Sequence, residues 1–200
     1  MKKGLTKDGI VQTAVAMIAE KGWETFSLRE LAARLAVRPA SLYNHVENVD
    51  DLYTSVATLV MGELAAQLEA ATAGKEGDAA VRALAEAYYR YGKENPELYK
   101  TIIAMRMKEG AALHDAFGEI LQPFYAALAA YHLSDEQCVS MHRMLRSLVH
   151  GYLMLEEAGY FTKPTLSTAA SFAQAVQCYI DGLHAAAAHR EGGQADERAE

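Results

Sequence analysis

The stretch "LAVRPASLYNHVENVDDL", Leu35 to Leu52, decides how this chain is read. Pro39 sits where a short helix would begin, a position at which a missing N–H costs nothing because first-turn amides have no partner within the helix. Across 39–46 only Leu42 and Val46 supply an apolar face, while Ser41, Tyr43, Asn44 and His45 carry hydrogen-bonding side chains on the other positions. Plain packing does not need that much polar surface. Ser, Asn and His can reach base edges, and Tyr or Ser hydroxyls suit phosphates, so 39–46 reads as the second helix of a helix-turn-helix lying in a DNA major groove.

The neighbouring residues extend this reading. "SLRELAARL" opens on Ser27 with Glu30 three residues later, the pattern of a capping box, so a second helix is expected from Leu28 and Ala36-Val37-Arg38 is the turn. A first helix runs from an N-cap at Thr6 to Lys21, stopped by Gly22. Trp23, Phe26, Leu28, Leu31, Leu35, Val37, Leu42 and Val46 are the expected core of this three-helix unit. Asn48 is expected to cap a long fourth helix over 49–71, and five more follow near 78–94, 96–108, 112–131, 135–158 and 166–189. Asn95-Pro96 and Ser134-x-x-Gln137 mark two of their starts. The fold class is therefore all-α with about nine helices. Residues 1–48 form an N-terminal helix-turn-helix domain, 49–190 a larger helical domain, and 191–200 a polar tail expected to be disordered.

Composition narrows the classes of function. About half the 200 residues are apolar, Pro is scarce, and no apolar run reaches the ~18 residues that span a bilayer, which points to a cytoplasmic, non-membrane protein. Cys138 and Cys178 lack CxxC spacing, which suits reduced thiols better than a metal site, and neither a metal nor a cofactor is expected. No Gly-rich phosphate loop, serine elbow or HExxH pattern is present, so an enzyme is not the expectation. The net charge of −7 is uneven: residues 1–46 hold seven Lys/Arg against four acids, and the remainder holds twelve against twenty-two. Only the first segment could approach a polyanion.

Residues 5–60 resemble the DNA-binding domain of the TetR family of bacterial transcriptional regulators, through "TFSLRELAARLAVRPASLYNHVENVDDL" and the Leu42-Tyr43-x-His45-Val46 signature. The resemblance implies phosphate contacts from Tyr43 and the Ser27 end of the second helix, and a phosphate or base contact from His45. It places Arg38, Pro39, Ala40, Ser41 and Asn44 toward base edges. Two departures stand out: Ala36 occupies a turn position commonly held by glycine, and Val49-Asp50-Asp51 stands where a lysine often begins the fourth helix.

"ALAEAYYRYGKENPELYKTII" and "SLVHGYLMLEEAGYF" resemble the C-terminal domain named for a Trp-His-Gly motif in one branch of that family, with Val149 in place of the Trp. The family implies a homodimer on a palindromic operator and a small-molecule effector. A ligand-released repressor is the leading expectation; an activator, or a helical module without an effector, stays open. Tyr88, Met105, Phe124, Met144 and Tyr152 are the candidate pocket wall, since Met and Tyr together make an adaptable apolar surface with hydroxyl handles. Core packing explains any one of them equally well. His142, Arg146 and His150 share a helical face that could hold an anion or simply pack. The apolar positions of the last two helices, among them Val139, Leu145, Leu148, Leu155, Phe172, Val176, Tyr179, Ile180 and Leu183, are the expected dimer surface.

Overall fold

The computed structural model describes residues 4–105, 111–163 and 165–196, with the side chains of 105, 111–113 and 189–196 outside the description. These residues form nine α-helices and one short 3-10 turn: α1 (Lys7–Lys21), α2 (Leu28–Arg34), α3 (Pro39–Leu42), α4 (Val49–Thr72), α5 (Gly77–Glu94), α6 (Pro96–Met105), α7 (Ala111–Leu128), α8 (Asp135–Glu157) and α9 (Thr168–Asp196). No helix among the described residues is long and apolar enough to cross a membrane.

Local chemistry places most of the ends. Thr6 caps α1 by accepting the Gly9 N–H at 3.1 Å, and Asn48 caps α4 by accepting the Asp51 N–H at 2.9 Å. At α8 the expected capping box is complete: the Ser134 hydroxyl accepts from the Gln137 N–H at 3.2 Å, and the Gln137 side chain accepts from the Ser134 N–H at 2.9 Å. As expected, α6 starts at Pro96 with Asn95 before it: the Tyr99 N–H donates to the Asn95 carbonyl at 2.9 Å, and the Asn95 amide also donates to the Tyr91 carbonyl of α5 at 3.2 Å. Two expectations differ. The Ser27–Glu30 capping box does not form, because the Glu30 carboxylate is turned to the Lys21 ammonium at 3.1 Å. The last helix does not stop near 189; its backbone stays helical to Asp196, and 197–200 lie outside the described residues.

The chain divides into two compact units, neither of them contiguous in sequence. One holds residues 1–64 and 91–120, the other 65–90 and 121–200. In the first, α1 buries Ile10, Val11, Ala14, Val15, Met17 and Ile18, and packs against both α2 and α6. Trp23 lies 4.2 Å from Tyr53 and parallel to Phe26, so the loop after α1 is held against α4 by half-buried aromatic rings rather than by a sealed core. In the second unit α8 packs on α9. There the Tyr89 and Phe172 rings stack at 4.3 Å, and the Tyr179 hydroxyl donates to the Met141 carbonyl at 3.0 Å. Phe172, Val176, Tyr179, Ile180 and Leu183 are each no more than 3% exposed within this packing. They are core of the protomer, and the expectation that they form a dimer surface is corrected accordingly.

Two backbone positions have positive φ for structural reasons. Gly22 ends α1 at φ 81° and ψ 159°, a region open essentially to glycine alone, and a Cβ there would lie 2.6 Å from the Glu97 carboxylate of α6. Ala36 ends α2 at φ 55°, where its N–H donates to Ala33 O at 3.0 Å and the Val37 N–H donates to Ala32 O at 2.9 Å. This is a Schellman closure made with alanine where glycine is favoured. Gly22→Ala is expected to lower stability by about 1–3 kcal/mol through backbone strain. Ala36→Gly is expected to raise it by about 0.5–1 kcal/mol, since relief of the left-handed penalty exceeds the added chain entropy. Chemical denaturation of the two variants beside the parent reads both signs.

Candidate nucleic-acid interface

A regular helix of four residues cannot hold itself together, since a single turn fixes several dihedrals for little hydrogen bonding. α3 is that short. The expected helix over 39–46 is therefore corrected to Pro39–Leu42 followed by a looser turn, in which His45 and Val46 both donate to the Leu42 carbonyl, at 2.9 and 3.1 Å. Tertiary burial holds it in place: Leu42 and Val46 are 1% and 3% exposed, and α3 packs against α2, whose Leu31 is fully buried.

With that side fixed, the polar positions have only the other side to occupy. Tyr43 is half exposed, and Arg38, Pro39, Ala40 and Asn44 are exposed with it. Ser41, His45 and Ser27 are half-buried. The Ser27 side chain makes no cap bond to α2, so its hydroxyl is not committed to that helix.

The segment leaving α3 is held by one carboxylate. Asp51 accepts the Lys7 ammonium at 2.8 Å through one oxygen and the Glu47 N–H at 3.0 Å through the other. The lysine, and after it the Glu47 amide, hold this carboxyl below the usual carboxylate range. Elsewhere Arg34 forms a two-point pair with Glu20 at 2.5 and 2.6 Å, and Lys21 pairs with Glu30. Three cations of this region thus spend their charge on the fold. Arg29 and Arg38, both exposed, make no ion pair among the described residues. Arg29 lies two residues after Ser27, in the first turn of α2.

Two of the five candidate pocket residues are in ring contact. Tyr88 and Phe124 are buried edge to face, with ring centroids 5.8 Å apart. Tyr152 belongs to a different cluster, its hydroxyl 2.7 Å from that of Ser171 and its ring between Phe161 and Phe172. Met144 is 53% exposed on α8, so its place in an enclosed wall is corrected; the Met105 side chain lies outside the described residues. His142 is buried edge-on to Tyr125, with no partner for Nδ1. Burial, then Arg146, pushes both His142 and His150 below the ordinary histidine range, so neither supplies positive charge near neutral pH. Any anion-holding role on that face falls to Arg146.

Known proteins share these features. The family profile described as "Bacterial regulatory proteins, tetR family" matches residues 10–56, and the one described as "Tetracyclin repressor-like, C-terminal domain" matches residues 81–179. The chain is 30% identical over 156 residues to an uncharacterised HTH-type transcriptional regulator of Mycobacterium tuberculosis, covering 78% of this chain and 72% of that one. It is 30% identical over 158 residues to the uncharacterised HTH-type regulator YobS of Bacillus subtilis, covering 76% and 79%. Among solved structures, apo ActR of Streptomyces coelicolor has the same fold, with a TM-score of 0.71 at 22% identity over 95% of this chain and all of that one. ActR has also been solved in complex with (S)-DNPA. From the reading element on its buried anchors to the two matched domains, this chain belongs to the TetR family of transcriptional regulators and carries that family's DNA-binding domain.

Proposed function

We propose that the protein is a homodimeric repressor that reads a palindromic operator through 39–46 and leaves it when a small molecule binds the body. The observation that carries the DNA-reading part is the division at α3: Leu42 and Val46 are buried, and Tyr43, Asn44 and Arg38 are exposed, as is Arg29, which makes no ion pair among the described residues. Tyr43, Ser27, His45 and Arg29 serve phosphates in this reading; Arg38, Pro39, Ala40, Ser41 and Asn44 lie toward base edges. With few unpaired cations, the salt dependence of binding is shallow, because each neutralised phosphate contributes a slope of roughly 0.9.

A second copy docks on the outer face of α8. Met144 and Leu155 are 53% and 44% exposed there, and Leu148 and Gly151 fall between them at helical spacing. A Cβ at Gly151 would meet nothing within 4 Å, so close approach at that point is unobstructed. Two reading elements then address successive major grooves about 34–36 Å apart.

The effector is mostly apolar or aromatic and meets Tyr88 and Phe124. That ActR binds a ligand supports looking for one here. Two elements can carry the signal. α4 contributes residues to both units, and α6 packs on α1, so α4 is not the sole connection to the DNA-binding helices. Ligand and operator need only compete for two states with a coupling of about 1–3 kcal/mol.

Mobility shift on the promoter beside its own gene tests the reading. Tyr43→Ala is expected to weaken all sequences, Asn44→Ala or Ser41→Ala to alter base preference by about 1–3 kcal/mol where a base contact is lost, and Arg29→Ala to reduce the salt slope by about 1. Unchanged binding in every variant rejects the assignment. Light scattering is expected to give a dimer for the parent and a monomer for Met144→Glu/Leu155→Glu, and a monomeric parent rejects the dimer. Operator affinity that stays equal with and without a ligand shown by thermal shift to be bound rejects ligand release.

A further inference from the structure

The turn that follows α3 carries the exposed side chains of Tyr43 and Asn44, and its backbone is anchored at both ends. At the start, the Leu42 carbonyl accepts the N–H groups of His45 and Val46 at 2.9 and 3.1 Å. At the finish, the Glu47 N–H donates to Asp51 Oδ2 at 3.0 Å. Asp51 is itself placed from two sides: its N–H donates to the Asn48 side chain at 2.9 Å, and its Oδ1 accepts the Lys7 ammonium of α1 at 2.8 Å.

A helix start needs less than this. The Asn48 cap already satisfies a first-turn amide of α4, and in a capping box the returning side chain meets the N-cap N–H. Here the carboxylate reaches one residue further, to an amide outside the helix, while Lys7 ties its other oxygen to α1. Glu47 and Lys7 are exposed, so water can serve the amide and the ammonium once the carboxylate is gone, and the links add little to global stability. What they add is a fixed course for the residues between Leu42 and Glu47. A carboxylate in a DNA-binding domain also opposes the approach of phosphates, whatever the sequence that carries them.

From this geometry we infer that Asp51 is a positioning residue for DNA reading: through the Glu47 amide and Lys7 it holds Tyr43 and Asn44 in the arrangement that recognises an operator. The inference rests on the reading of 39–46 as the DNA-reading element. Without the carboxylate that segment has to be ordered on the DNA, and the ordering is subtracted from specific binding. Positioning and charge therefore act with opposite signs. Loss of Asp51 weakens the operator complex, yet relieves repulsion toward every duplex.

The test uses the full chain and fluorescence anisotropy on two labelled duplexes of equal length, one enriched by the parent protein from a randomised pool and one of arbitrary sequence, with thermal unfolding alongside. Asp51→Ala is expected to lower affinity for the enriched duplex at least about tenfold and to leave affinity for the arbitrary duplex equal or higher. Its unfolding midpoint is expected to move by no more than about 4 °C, as a small stability change does in a chain of this size. Asp51→Asn keeps an oxygen for the Glu47 amide and loses the pair with Lys7, so it is expected to fall between Asp51→Ala and the parent; being of equal size, it keeps the comparison valid where the alanine variant fails to fold. Affinity for the enriched duplex that holds or rises in both variants overturns the inference, because the carboxylate then acts only as a charge. Proportional losses on both duplexes overturn it too, because the residue then serves only stability. A parent that enriches no sequence rejects the reading of 39–46 and this inference with it, whereas an enriched sequence still preferred to the same degree by the variants rejects this inference alone.

Discussion

The short helix α3 has no stability of its own, and the packing of the DNA-binding domain answers that constraint. Four residues of regular helix gain too little from their own hydrogen bonds to hold a shape, so Leu42 and Val46 must be buried for Tyr43 and Asn44 to point anywhere in particular. What surrounds α3 serves that end. A Schellman turn at Ala36 aims it, α2 receives its apolar face, and Asp51 grips the chain just after it through the Glu47 amide.

The same constraint explains how charge is used. A segment richer in cations than in acids would be expected to spend its positive charge on DNA, yet Lys7, Lys21 and Arg34 are engaged in pairs that knit α1 to α2 and α4. Exposed pairs of this kind contribute little stability each, but they join different helices of the unit.

The body is not simply appended to the DNA-binding helices. α6, far along the sequence, belongs to the same compact unit as α1, and Gly22 lacks a side chain where Glu97 approaches. In the other unit α9 turns its large apolar residues into the protomer, while Met144 and Leu155 of α8 stay exposed.

Much of this was legible in the residues. The helical periods, the Thr6, Asn48 and Ser134 caps, the Gly22 stop and the inward pair Leu42 and Val46 are local patterns, governed by side chains within a turn or two of one another, and the sequence determined them by itself. Choices between competing partners were decided only in three dimensions. Glu30 abandoned its capping box because Lys21 came within reach from another helix. Which face of a doubly apolar helix becomes core depends on what packs against it. Val176 and Ile180 therefore went inward while Met144 stayed at the surface, although periodicity treats all three alike. The identity of α6 as a partner of α1 is likewise a contact between residues some eighty positions apart, which no local spacing encodes.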